Sequence, residues 1–167
     1  MDPVIQKITT NLWFDMNAEE AVDFYTSVFN NSKIGRVTYY SGVGNESHRL
    51  NAGKVMTIEF QIEGQGFLAL NGSPAFPYTE AISFIINCES QEEVDHYWDK
   101  LTQGSDKRTQ MCGWLTDRFG ITWQVVPIEL NNMLIDGEAK KVERLTNALM
   151  KMKKLDLKEL LRAYEEE

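Results

Sequence analysis

One internal repeat constrains this chain more than any other feature. Asn17-Ala18-Glu19-Glu20-Ala21-Val22-Asp23-Phe24-Tyr25 aligns, at an offset of 72 residues, with Glu89-Ser90-Gln91-Glu92-Glu93-Val94-Asp95-His96-Tyr97, sharing Glu20/Glu92, Val22/Val94, Asp23/Asp95 and Tyr25/Tyr97. Each copy opens with a helix start: Asn17 with Glu20, and Ser90 with Glu93, pair an N-cap oxygen with a glutamate at the capping-box position. Val22, Tyr25 and Phe29 in the first copy, and Val94, Tyr97, Trp98 and Leu101 in the second, recur at helical spacing. Each helix therefore offers one apolar stripe to a core, and the stripes read as packing.

Strand-like runs flank both helices in the same order. Ile8 to Phe14 and Ala81 to Ile86 precede them; Ile34 to Tyr40, Val55 to Ile62 and Phe67 to Leu70 follow the first, and Gln110 to Leu115 and Ile121 to Val126 follow the second. Glu63-Gly64-Gln65-Gly66 and Asp117-Arg118-Phe119-Gly120 punctuate the runs as hairpins. The expected fold class is α+β: two βαβββ modules, about 7–72 and about 80–127, forming a curved mixed sheet within one domain. Asn71 to Pro77 joins them, and Ser41 to Gly53, with three glycines, reads as a mobile loop.

Beyond Pro127 the pattern becomes helical. A C-terminal extension of about 129–167 carries Val142, Leu145, Leu149 and Met152, then Leu157, Leu160, Leu161 and Tyr164, stripes that a core or a partner chain must cover. Asp156 with Glu159 is a further capping box, Leu155 stands at its staple position, and Lys151, Lys153 and Lys154 read as complements to a helix C-terminus.

Composition excludes several partners. Of 167 residues 43% are hydrophobic, and the formal charge is −8, with no basic stripe to offset it. An acidic chain repels phosphate backbones and anionic headgroups, so neither nucleic acid nor membrane is an expected partner. The first residues lack a signal-peptide pattern and no window reaches the ~18 apolar residues of a membrane span, so a cytoplasmic location is expected. Cys88 and Cys112 have neither a disulfide framework nor a CxxC spacing and read as small hydrophobes in strands.

Longer motifs carry a resemblance. Leu12-Trp13-Phe14-Asp15 with Ala18 to Val22 and Phe24-Tyr25, Val55 to Phe60, Phe67 to Gly72, Glu80 to Phe84, and above all Cys112-Gly113-Trp114-Leu115-Thr116-Asp117-Arg118-Phe119-Gly120 through Pro127 are similar to the vicinal oxygen chelate superfamily, which includes glyoxalase I and fosfomycin-resistance proteins. Within it the chain resembles the PhnB-like subgroup labelled 3-demethylubiquinone-9 3-methyltransferase. The resemblance implies a homodimer, and a scaffold that hosts unrelated chemistries.

The label's cofactor is weighed against the residues. S-adenosylmethionine enzymes commonly use a glycine-rich turn between a strand and its helix. Here Gly42-Val43-Gly44 falls in the long loop and Gly64-Gln65-Gly66 in a hairpin, so S-adenosylmethionine is not expected. The resemblance also implies four metal positions, on the first and last strand of each module, which fall on Thr10, Ala69, Ser83 and Gln124. Shifting each by one, to Thr9 or Asn11, Leu68 or Leu70, Ile82 or Phe84, Trp123 or Val125, adds no histidine; the chain's two, His48 and His96, lie elsewhere. Divalent ions bind nitrogen and oxygen lone pairs of His, Glu, Gln and Asp, so no metal is expected.

Thr10, Ser83 and Gln124 instead read as a polar patch among apolar walls that orients a ligand through hydrogen bonds. Glu59, on the polar face of an alternating strand, is a general-base candidate or a solvated edge carboxylate. Trp114 adds an aromatic wall beside Cys112, whose use as a nucleophile would need a base the sequence does not place. The expected function is a metal-free protein of the PhnB-like type that binds a small, partly apolar ligand. The alternative is an enzyme: a metal-dependent lyase, isomerase or dioxygenase, or the methyltransferase of the label.

Overall fold

The structure is a computed structural model that describes residues 6–44, 46–73 and 75–166. The chain forms two compact units, Met1–Pro77 and Tyr78–Glu167. The architecture is α+β, as expected, with two mixed sheets, one in each unit.

Unit 1 runs β1 (Thr10–Asp15), α1 (Ala18–Val28), β2 (Ser32–Tyr39), α2 (Glu46–Leu50), β3 (Val55–Ile62) and β4 (Gln65–Gly72). Its strand order is β1-β4-β3-β2, with β1 parallel to β4 and the other pairs antiparallel. Period-two alternation sorts the strands into two faces. Leu12 and Phe14, Ile58, Phe60 and Ile62, and Phe67 and Ala69 are buried together with the α1 stripe of Ala18, Ala21, Val22, Tyr25 and Val28. Thr57, Glu59 and Gln61 occupy the opposite, open face. Glu63 (φ 45°) and Gly64 (φ 78°) make the two-residue connection between β3 and β4, the positive-φ pair that a right-twisted hairpin requires. The loop expected between Ser41 and Gly53 contains the short α2.

The expected N-cap of α1 is replaced. Asn17 makes no side-chain cap bond. Asn71, 1% exposed at the end of β4, places Oδ1 2.8 Å from the Ala18 N–H, and its amide donates to Glu19 Oε2 (2.6 Å) and to the Val55 carbonyl (3.1 Å). One side chain thus ties the helix start to two strands.

Unit 2 runs β5 (Phe84–Cys88), α3 (Gln91–Leu101), a 3₁₀ turn at Lys107–Thr109, β6 (Trp114–Thr116) and β7 (Thr122–Pro127). The sheet has three strands ordered β5-β7-β6, β5 parallel and β6 antiparallel to β7. The module is therefore one strand short of the expected βαβββ among the described residues. The expected strand from Gln110 to Leu115 is broken by a turn at Cys112 and Gly113, both at positive φ, so Cys112 is not a strand residue. Ser90 caps α3 as expected, accepting from the Glu93 N–H at 3.3 Å. Asp117, 4% exposed, fixes the next turn: Oδ1 accepts from the Phe119 and Ile121 N–H groups, and Oδ2 from the Trp123 indole at 2.8 Å.

The C-terminal extension forms α4 (Ile128–Asp136), α5 (Ala139–Leu149) and α6 (Leu157–Glu165). Its stripes cover one another: Leu130, Met133, Leu145, Leu155 and Leu160 are buried in one cluster with Val126 of β7. Asp156 caps α6 through the Glu159 N–H at 3.0 Å. Lys154 does more than complement a dipole, pairing with Asp95 of α3 at 2.8 Å.

Candidate functional site

The open sheet faces carry the candidate residues, and the strand registers decide which side chains reach them. In unit 1, Asn11 and Glu59 both pair with Leu68, giving an open-face row of Asn11, Leu68 and Glu59 across β1, β4 and β3. A recess of about 580 Å³ lies over this face, lined by Thr9, Lys33, Arg36, Glu59, Gln61 and Leu68 among others. Thr10 points the other way: it is half-buried on the face of Leu12 and Phe14, and Ala69 on β4 is buried. The residues presented at these positions are Thr9 and Asn11, and Leu68 and Leu70, one step to either side.

Glu59 stands on the open face in a two-point ion pair with Arg36, whose Nη2 and Nε lie 2.7 and 3.0 Å from its carboxylate oxygens. A bulge in β2 between Ile34 and Val37 lets Arg36 reach across. Gly35 permits this approach, since a Cβ there would lie 3.2 Å from Glu59 Cβ. The Arg36 hydrogen bond holds the Glu59 carboxyl below the usual glutamate range. A general base working near neutral pH needs the opposite shift.

In unit 2 three of the predicted residues meet. Gln124 on β7 pairs in register with Trp114 on β6 and Ile85 on β5, so the three share one face. Gln124 Nε2 donates to Ser83 Oγ at 2.8 Å. Among the described residues, neither the Trp114 indole N–H nor Gln124 Oε1 has a protein hydrogen-bond partner, and the Ser83 hydroxyl proton remains available to donate. Two donors and one acceptor thus share one face with the exposed side chain of Ile85. The other face is apolar: Phe84 and Trp123 lie 5.3 Å apart, and Leu115, Trp123 and Val125 are buried, as are Val94, Trp98 and Leu101 of α3.

The donor set does not fit a divalent ion. Unit 1 offers an asparagine amide beside two leucines, unit 2 a serine and a glutamine already bonded to each other, and among the described residues no three His, Cys, Asp or Glu side chains cluster. His48 sits in α2 against Tyr40, and His96 is exposed on α3. S-adenosylmethionine chemistry of the strand-turn-helix type fares no better. The turns entering α1 and α3 contain no glycine, and the Ala18 N–H at the start of α1 is occupied by Asn71. Gly42 and Gly44 precede only the five-residue α2.

Sequence reasoning missed several residues. Arg36 escapes notice because a bulge, not the strand period, brings it to the recess, whereas Lys33 reaches it in register opposite Gln61. Asn71 carries no local signal, since its partners lie 16 to 53 residues away. Cys88 is buried, and burial pushes its thiol up to about 12, which agrees with a structural role. Burial beside Asp117 also raises the Tyr78 phenol.

No curated protein matches the chain. The PhnB protein from Bacillus cereus is 34% identical, over 73% of this chain and 99% of that chain, with a TM-score of 0.62. Protein PA1353 from Pseudomonas aeruginosa shares the fold at 22% identity, over 72% of this chain and 96% of that one, with a TM-score of 0.57. Residues 6–126 match the model of the 3-demethylubiquinone-9 3-methyltransferase family, and the chain belongs to that family, as a PhnB-like member.

Proposed function

We propose that this chain binds a small, partly apolar molecule on the open face of the unit 2 sheet, without a divalent metal and without S-adenosylmethionine. One observation carries the reading: Trp114, Gln124 and Ser83 stand on one face with unused hydrogen-bonding capacity beside exposed Ile85. Small-molecule sites combine apolar walls with a few such groups. The recess over Glu59 in unit 1 offers a second surface of the same mixed character. The reading includes a cytoplasmic homodimer. The two free cysteines suit a reducing compartment, and the edge strand β2 exposes Ile34, Val37 and Tyr39 for a second copy to cover.

The test uses benzamide, whose ring is apolar and whose amide both donates and accepts. The Trp114 indole and Gln124 amide signals are followed in ¹H–¹⁵N NMR spectra up to roughly 10 mM, the range in which a fragment of this size binds. Saturable shifts at both signals are expected, and the Trp114 shift should be lost in Gln124→Leu. Unmoved signals at the highest concentration, or tight binding of S-adenosylmethionine by calorimetry, would overturn the proposal.

A further inference from the structure

The turn that delivers Trp114 to this face is strained. Met111 and Trp114 exchange backbone hydrogen bonds of 3.1 and 2.8 Å around two central residues, Cys112 at φ 52° and Gly113 at φ 83°. Two positive φ angles match a type I′ turn, whose first central position favours asparagine, aspartate or glycine. Cysteine has no side-chain carbonyl to offset the left-handed conformation, so external contacts must hold it there.

Those contacts come from the C-terminal extension. The Cys112 and Gly113 N–H groups donate to the carbonyls of Met152 and Lys153, each at 2.8 Å. Leu155, 1% exposed, seals the turn so closely that a Cβ on Gly113 would lie 3.0 Å from its Cδ1. The segment is itself clamped to α3. Gln91 donates through Nε2 to the Leu155 carbonyl (3.1 Å) and accepts through Oε1 from the Leu157 N–H (2.8 Å), while Lys154 pairs with Asp95. The family match ends at residue 126, and the Bacillus cereus PhnB protein is almost wholly accounted for by 73% of this chain.

From this we infer that residues 150–157, anchored by Gln91, are a built-in brace that holds the Cys112–Gly113 turn and so positions Trp114 on the ligand face. Gln91 and Leu155 are positioning residues. The inference rests on the proposed ligand face, but the geometry of Trp114 can be read without any ligand.

The test is Gln91→Ala, which removes the clamp but leaves the apolar cluster around Leu145 and Leu160 intact. Exchange of the Cys112 and Gly113 amides should accelerate about tenfold as the segment loosens. The Trp114 indole signal, identified by its loss in Trp114→Phe, should move or broaden while those of Trp13 and Trp123 stay in place. Benzamide affinity should fall several-fold. Adding Cys112→Gly, which adopts φ 52° without strain, should return both signal and affinity to wild-type values; a general packing defect would not be rescued this way. Should Gln91→Ala fail to fold, Lys154→Ala removes only the ion pairs with Asp95 and Asp99 on α3 and is read identically. Faster exchange at Cys112 and Gly113 with an unmoved Trp114 signal, or no rescue by glycine, would overturn the brace. Absence of benzamide binding to the wild-type protein counts against the ligand face alone, and the Trp114 signal then decides the brace.

Discussion

Replacing Asn71 with alanine tests how unit 1 is held together. The side chain caps α1, donates to Glu19 and satisfies the Val55 carbonyl. Loss of an N-cap costs about 1 kcal/mol. The Ala18 N–H sits on a residue with 0% exposure, so it cannot turn to water instead. Leaving a buried donor or acceptor unpaired adds about 1–3 kcal/mol, whereas the exposed Glu19 carboxylate regains water at little cost. Asn71→Ala should therefore destabilise by about 2–4 kcal/mol. With a urea slope of about 1–3 kcal/mol per molar, the unfolding midpoint drops by roughly 1–2 M. Asn17→Ala, at the cap position that the repeat suggests, should stay within about 0.5 kcal/mol of wild type, because its side chain makes no cap bond. Asn71→Asp keeps the acceptor for Ala18 but turns both amide donors into a carboxylate facing Glu19 and the Val55 carbonyl, so it should rescue little. Urea unfolding followed by circular dichroism at 222 nm reads all three. An Asn17→Ala loss equal to that of Asn71→Ala, or an Asn71→Ala protein as stable as wild type, would refute the reasoning.

Three further expectations concern unit 2. Cys88 is 1% exposed with its thiol pushed up to about 12, so one equivalent of maleimide should modify the native protein at Cys112, and a second only after denaturation, as mass spectrometry would show. Because the folded thiol keeps its proton where the unfolded one has lost it, stability should be complete below the ordinary thiol value of 9.0 and fall as pH rises toward about 12; urea midpoints that stay flat across this window would contradict it. Asp117→Ala should cost about 3–5 kcal/mol, since it strands two backbone N–H groups and the Trp123 indole, and Asp117→Asn should cost less by keeping one acceptor. Equal losses in the two variants, measured by thermal unfolding, would show that the Oδ1 bonds are unimportant.

Much of the architecture is legible because its signals are local. Ser90 with Glu93 and Asp156 with Glu159 cap their helices within one turn of chain, and Val22, Tyr25 and Phe29 of the first stripe, Val94, Trp98 and Leu101 of α3, Leu145 of α5 and Leu160 of α6 are buried where their spacing indicates, whereas Leu161 of α6 is exposed. Ser83, Gln124 and Trp114 share one face of the unit 2 sheet, a placement that strand parity alone makes readable. Thr10 takes the Leu12 and Phe14 side of β1 while its neighbours Thr9 and Asn11 take the other, since one residue on a period-two strand exchanges the two faces. The start of β6 at Trp114 rather than Gln110 follows from the Cys112–Gly113 turn, whose left-handed backbone leaves no mark in a run that otherwise alternates like a strand.

By itself, then, the sequence determined that this chain folds as repeated β and α elements with a helical extension, and that its strands carry few metal-binding side chains. Helix caps, apolar periods and donor chemistry act over a few residues and can be read one window at a time. The tertiary structure alone decided that Asn71 rather than Asn17 starts α1, that Arg36 neutralises Glu59 across a bulge, and that the extension closes over the turn before Trp114. Each of these depends on partners distant in sequence, brought within hydrogen-bonding reach only after the sheets have set their registers.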